Sequence, residues 1–258
     1  MTIWEMLAVF AAGISAGTIN TIVGSGTLIT FPVLLAVGLS PVTATVSNGL
    51  GLVAGSISGA IGYRAELTGQ RRRVLRLAAV ATVGGVTGAA LLLTLPSTAF
   101  ETIVPILVTL ALALVILQPR ISAAVQRRRE ANGTTAHPDG GPLLLVGILL
   151  ASVYGGYFTA AQGIIYMALM GMLINDTLQR LNATKNILAA VVNSVAAVFF
   201  LFVADFDWTA VALIAVGSTI GGQLGAKVGR KLSPKFLRVL IVVVGTVALV
   251  QLVLYRYG

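Results

Sequence analysis

The apolar stretch Gly17–Asn48, GTINTIVGSGTLITFPVLLAVGLSPVTATVSN, is interrupted in its middle by Asn20, Gly24, Ser25 and Gly26. It then resumes as helix and closes on a segment opened by Pro41 that carries Thr43, Thr45, Ser47 and Asn48. A backbone group left unpaired in hydrocarbon costs several kcal/mol, so a lipid-facing helix has no use for polar residues and paired glycines at mid-depth. Such breaks are tolerated where the backbone lines a cavity, and discontinuous helices of this kind mark binding sites in transporters.

The surroundings of this stretch are a membrane protein. Of 258 residues, 57% are hydrophobic and only 10% charged, with a mean hydropathy of +0.97. A soluble domain is about 25% charged, so the chain reads as an all-α polytopic protein. The net charge of +9 sits in short clusters between apolar runs, which topology explains better than a nucleic-acid partner. The chain has no cysteine, so disulfides and thiol-ligated metals are excluded. Its one histidine, His137, lies in a Gly/Pro/Thr-rich loop. No metal site and no cofactor are expected. Met1–Glu5 lacks the positive start of a signal peptide.

Apolar segments run over 4–21, 23–38, 41–63, 73–95, 99–118, 142–160, 163–174, 181–203, 208–229 and 235–255. A spanning helix needs about 20 residues, which the third, fourth, fifth, eighth, ninth and tenth meet. Residues 4–38 and 142–174 are short of two crossings each. They read as hairpins that enter the bilayer, break near mid-depth and return. Two tilted complete crossings per pair satisfy the same parity. Gln118–Gly141, with Arg127–Arg129, Asn132, Gly133 and the turn Pro138-Asp139-Gly140-Gly141, reads as a flexible linker.

The halves repeat. A shift of 138 puts Gly17 on Gly155, Asn48 on Asn186, Val53 on Val191 and Ser56 on Ser194; a shift of 137 puts Gly84 on Gly221, Gly88 on Gly225 and Leu95 on Leu232. The resulting architecture is a repeat at 1–118, a cytoplasmic linker at 119–141 and a second repeat at 142–258. Each repeat has a broken, re-entrant hairpin and three transmembrane helices, and the odd number of crossings inverts the second copy. All but Lys185 and Arg256 of the 17 Lys/Arg then face the cytoplasm. These are Arg64, Arg71–Arg73, Arg76, Arg120, Arg127–Arg129, Arg180, Lys227, Arg230, Lys231, Lys235 and Arg238. Glu5, Glu101, Asp205, Asp207 and both termini fall outside. Eight plain crossings with both termini inside would leave Lys227–Arg238 external, against the positive-inside rule.

Glycines write the packing. Gly217, Gly221, Gly225 and Gly229 recur every fourth residue, and Asn48, Gly51, Gly55 and Gly59 share a face. Small faces of this kind let helices approach closely in lipid.

Polar residues gather at the breaks. The first half offers Asn20, Thr21, Gly24, Ser25, Gly26 and Thr27, then Thr45, Ser47 and Asn48. The second offers Tyr154, Tyr157, Thr159, Gln162 and Gly163, then Asn182, Thr184, Lys185, Asn186 and Asn193. On the helix after the second break, Asn182, Asn186 and Asn193 lie within about 40° of one another and Lys185 about 60° aside. Helices resuming after Gly26 and Gly163 would aim unsatisfied N–H groups and partial positive charge at whatever lies between them. With Lys185 added, the cavity suits an anion. The plainer reading is that these side chains cross-link helices and that Lys185, one turn into its helix, snorkels to the surface.

The pattern GxxNTxxGSGxLxxFPxLLxxGLxPxxATxSN, with GGYFTAAQG and LNATKN in the second half, resembles the sulfite exporter TauE/SafE family along nearly the whole chain. Ser25 and Gln162 stand where that family often has glycine. The resemblance implies a multi-pass permease of the cytoplasmic membrane for sulfite, sulfonates or related sulfur- or carboxyl-bearing anions. Its glycine-rich hairpin maps to Gly17–Gly26, its second glycine-rich motif to Gly155–Gly163 and its Asn/Lys motif to Asn182–Asn186. The expected function is secondary transport of a small anion by alternating access. Asn48, Asn182 and Asn186 would bond the substrate, and Lys185 would supply countercharge. A passive anion channel of the same architecture is the alternative. An enzyme is not expected, because no nucleophile, base or metal set lies at depth. The expected partners are a small anionic substrate and the lipid bilayer; a homo-oligomer is compatible with the sequence.

Overall fold

The computed structural model describes residues 1–132, 139–228, 239–247 and 249–250. The described residues are helical, with no strand: α1 (Ile3–Ile22), α2 (Thr27–Ala36), α3 (Pro41–Gly62), a 3-10 turn (Arg64–Leu67), α4 (Arg71–Thr94), α5 (Ser97–Asn132), α6 (Gly141–Tyr157), α7 (Gln162–Leu173), α8 (Leu178–Phe200) and α9 (Trp208–Val228). Residues 239–247 are again helical.

The helix starts follow local rules. Thr2 and Glu5 form a reciprocal capping box on α1. Ser40 caps α3 ahead of Pro41, whose missing N–H costs nothing in the first turn. Thr177 caps α8, accepting from the Arg180 N–H.

Among the described residues, six helices are long and apolar enough to cross a membrane: α1, α3, α4, α5, α8 and α9. Five were expected. The sixth expected segment, 235–255, lies partly outside the described residues, and Gly229, Arg230, Lys231, Lys235, Arg238, Arg256 and His137 lie outside them altogether. The hairpins are unequal: 20 residues in α1 against 10 in α2, and 17 in α6 against 12 in α7. One arm of the first pair is therefore span-length and the other cannot be. The first part of the expected flexible linker is helix instead, because α5 continues through Pro119 to Asn132, and 133–138 lie outside the described residues. The run Ile121–Asn132 is rich in Ala, Gln, Arg and Glu, good helix formers, and one proline removes a single bond of the ladder.

Polarity is inverted relative to a soluble protein. Asn48, Ser25 and Lys185 are fully buried, while Ile106 is 65% and Phe202 84% exposed.

Glycines set the helix pairs. Gly217, Gly221 and Gly225 of α9 lie against Phe10, Ile14 and Thr18 of α1, and Gly51 and Gly55 of α3 lie against Ile214 and Ser218 of α9. Gly84 and Gly88 of α4 lie against Leu149 and Val153 of α6. The order of these contacts makes α1, α3 and α9 parallel to one another, and α4 parallel to α6. Helix α8 packs against both α3 and α4.

One end of the bundle collects charge. Arg73 donates to Asp176, and Arg180 Nε lies 2.9 Å from the same carboxylate. Arg180 also donates to the Thr68 carbonyl at 3.1 Å, and Arg76 lies 3.5 Å from Asp139. Helices α1, α3 and α9 run toward this end; α4, α6 and α8 start from it. At the opposite end, the Asp207 N–H donates to Ser47 Oγ at 3.0 Å, tying the start of α9 to α3.

Candidate functional site

The chain reverses sharply at both breaks. Gly24, at φ +89°, turns α1 back so that Gly26 rests on it; a Cβ there would sit 2.3 Å from the Ala16 carbonyl. The second reversal is at Ala161, which holds a left-handed φ of 60°, costing a non-glycine residue roughly 1–2 kcal/mol. It is closed by Tyr154, whose hydroxyl donates to the Ala160 carbonyl at 2.8 Å.

The two tips touch. The Gly163 N–H donates to the Gly24 carbonyl at 3.1 Å. The hydroxyls of Thr27 and Thr159 are 2.8 Å apart, and Phe31 meets Phe158 edge to face, with centroids 5.5 Å apart. Only hydrogens at both α-carbons permit the first contact, since a Cβ on Gly24 would lie 2.5 Å from Gly163 Cα. One expectation changes here. A first-turn N–H of α7 is not left open between the tips but is taken by the opposite tip's carbonyl.

Lys185 is fully buried. It reaches inward, not to the surface, and its Nζ donates to the carbonyls of Asn20 at 2.9 Å and Thr21 at 3.0 Å. Both carbonyls belong to the last turn of α1, where the helix dipole favours a cation. The Thr21 carbonyl is also approached by Asn182 Nδ2 at 3.2 Å and Asn186 Nδ2 at 3.5 Å. Three donor side chains of α8 thus converge on one oxygen with two lone pairs. Donors outnumber acceptors at this point. Among the described residues, no carboxylate joins the cluster. Two nearby acceptor-capable atoms, Ser25 Oγ and Asn182 Oδ1, are buried without a hydrogen-bond partner.

A second set of bonds crosses the centre. Asn20 and Asn193 each donate an amide N–H to Ser56 Oγ, both at 3.3 Å. Asn193 Oδ1 accepts from Gln162 Nε2 at 3.0 Å. Gln162 Oε1 in turn accepts from Tyr166, whose hydroxyl lies 2.9 Å from Ser152 Oγ. Asn48 donates to Thr27 Oγ1 at 3.1 Å and accepts from Thr30. Thus Asn20, Thr21, Gly24, Thr27, Asn48, Gln162, Gly163, Asn182, Lys185, Asn186 and Asn193 meet in one polar core, with Ser25 and Gly26 in the adjoining turn.

Four expected residues are engaged elsewhere. The Thr45 hydroxyl bonds back to Pro41 within its own helix. Ser47 holds the start of α9. Thr184 donates to Gln70 and to the Arg180 carbonyl at the charged end. The Tyr157 ring packs on Phe100, and its hydroxyl is buried without a partner. Sequence reasoning missed Ser56 as a bridging hydroxyl, and it placed Thr159 at the break without naming Thr27 as its partner. Ser56 had a signal, lying about two turns after Asn48 on α3 and matching Ser194 in the repeat.

At the charged end, partial burial opposes ionisation of Asp176. Hydrogen bonds from Arg73, the Thr177 N–H and Arg180 outweigh it and hold the carboxyl below its ordinary value of 3.8.

Residues 9–252 match the family model described as "Sulfite exporter TauE/SafE". The chain is 28% identical to "Probable membrane transporter protein YfcA" of Escherichia coli (strain K12), covering 96% of this chain and 90% of that one. It is 27% identical to "Probable membrane transporter protein ORF9" of Sinorhizobium sp, over 94% of this chain and 90% of the relative. A "Probable membrane transporter protein" of Haemophilus influenzae is 25% identical, over 93% and 91%. No solved structure matches. With nearly the whole chain matched by that model, the protein belongs to the sulfite exporter TauE/SafE family.

Proposed function

We propose that this protein is a secondary transporter, not an enzyme, that carries a small anion across the cytoplasmic membrane by alternating access. The arginine-rich end faces the cytoplasm, following the positive-inside rule. The substrate is sulfite, a sulfonate or a related sulfur- or carboxyl-bearing anion. The observation that carries this reading is the buried Lys185, which converges with Asn182 and Asn186 on α1 carbonyls with no carboxylate beside it among the described residues. An ammonium at membrane depth is costly unless paired, and an anion completes the pairing. The anion competes with the Asn20 and Thr21 carbonyls for Lys185, so binding loosens α8 from the end of α1.

Inverted repeats supply the two states. Exchanging the halves turns α1 into α6, α3 into α8 and α4 into α9. The packing of α1 on α9 then becomes that of α6 on α4, and α3 on α9 becomes α8 on α4. The exchanged helices run in opposite directions, as rocking about a central site requires.

Flux into proteoliposomes, compared for sulfite, thiosulfate, sulfoacetate and acetate, tests the reading. Saturable uptake of at least one of them, lost in Lys185→Ala, is expected. Unchanged flux and affinity in that variant would remove the countercharge role. Conductance that does not saturate would replace the transporter by a passive channel.

A further inference from the structure

Helices α5 and α7 touch where Val125 meets Gly171, but elsewhere they part around a cavity of about 290 Å³. At its inner end stand Val23 and Ile164, the neighbours of the paired Gly24 and Gly163. At its outer end stands Leu178, the first residue of α8. The α5 wall carries Gln118, Ser122 and Gln126, spaced by four and therefore on one face. Ser122 and Gln126 are exposed, which leaves the cavity open on that flank. The volume far exceeds the roughly 10–15 Å³ that one water needs.

We propose that this cavity is a hydrated vestibule through which the anion reaches the paired tips from the arginine-rich end, with Gln118, Ser122 and Gln126 as an outer polar waypoint. The inference rests on the transport reading for the identity of the traffic, but not for the presence of water.

Three observations favour water and anions over a lipid chain. Helix α5 has 36 residues, about 54 Å at 1.5 Å each, against a hydrocarbon core of about 30 Å. Its later turns therefore project into the headgroup and aqueous zone. The exposed positions earlier on α5 are mostly apolar, Ile106, Leu110, Ile116 and Leu117, and the later ones turn more polar, with Arg120, Ser122, Gln126 and Arg127. The end at which the cavity opens carries Arg64, Arg71–Arg73, Arg76, Arg120, Arg127 and Arg180 against Glu66, Glu130, Asp139 and Asp176, so the field of that end as a whole concentrates anions. The inner end closes on Val23 and Ile164, both buried, next to the glycine contact that joins the tips.

The chain has no cysteine, so single-cysteine variants each report one position. The full chain is placed in inside-out vesicles and labelled with a negatively charged sulfonatoethyl thiosulfonate, its trimethylammonium counterpart, and a lipid-soluble maleimide. Ser122→Cys is expected to react with the charged reagents roughly tenfold faster than Ile116→Cys on the lipid face, because only a hydrated thiol ionises readily. Val23→Cys is expected to exceed the same control, and the negative reagent to outpace the positive one. Should Val23→Cys fail to accumulate, Ile22→Cys on the same wall replaces it. Reaction with the maleimide alone, or a faster positive reagent, would overturn the vestibule. Labelling needs no substrate, so failure of every anion in the flux assay would defeat the transport reading while leaving this measurement standing.

Discussion

Gly163 hands its backbone N–H to the carbonyl of Gly24, joining two chain breaks that lie more than half the sequence apart. A methyl group at position 163 would sit 2.5 Å from the α-carbon of Gly24, and backbone cannot swing aside as a side chain can. Gly163→Ala is expected to destabilise the protein by about 1–3 kcal/mol, the usual cost of overpacking, and to cut transport. Gly49→Ala has nothing within 4 Å of the added carbon and is expected to be neutral or stabilising in a helix. Thermal unfolding in detergent compares the two.

Ser56 is the acceptor for two buried amides from opposite halves. Ser56→Ala would leave both N–H groups unpaired, and each orphaned donor costs about 1–3 kcal/mol. The expected outcome is a clear loss of thermal stability without loss of insertion into the membrane. If the melting temperature is unchanged, the bridging role is wrong.

The contact between Thr27 and Thr159 hydroxyls can be isolated. Valine keeps nearly the shape of threonine and removes the hydroxyl. A double-mutant cycle with Thr27→Val and Thr159→Val is expected to return a coupling of about 0.5–1.5 kcal/mol. Additive effects would mean that the tips are not linked through this pair.

The Asp176 cluster predicts a response to acid. Its native pKa lies below 3.8, so its stabilisation is complete above the unfolded value and is lost as pH falls from there through the lowered native value. The carboxylate side chain is 13% exposed, and with partial screening the effect is about 1 kcal/mol or less. Acid titration of the melting temperature is expected to steepen in this window for the native chain and to flatten there in Asp176→Asn.

The breaks, the glycine faces and five of the six spanning lengths were legible in the sequence, because hydrocarbon forbids idle polar backbone and small residues mark close helices; α1, read as one arm of a short hairpin, was the exception. The partners of the polar side chains were not. A helical wheel places Lys185 on a face, but it cannot say that α1 ends opposite it with two open carbonyls. Thr45 shows why a polar residue near the break need not join the core: its hydroxyl folds back on the Pro41 carbonyl four residues earlier, a bond open to any helical threonine. Ser47 and Thr184 sit one residue from Asn48 and Lys185, yet about 100° round the helix, and they serve other neighbours. The polar stretch from Gln118 suggested a linker because the apolar run stops there, but its helix formers carried α5 on to Asn132.

The clasp of α1 by α9 has a consequence for how the protein is made. The first hairpin is synthesised long before the glycine face that covers it, and the second hairpin, by contrast, finds α4 already in the bilayer. The ribosome therefore releases one half of the centre into a membrane that holds no partner for it, with Asn20 and Thr21 waiting on residues still to be translated. Insertion of the early helices must be provisional, and the step that commits the chain is the arrival of α8 and α9. A polypeptide truncated before them would present an unfinished polar surface to lipid, which is what membrane quality control recognises.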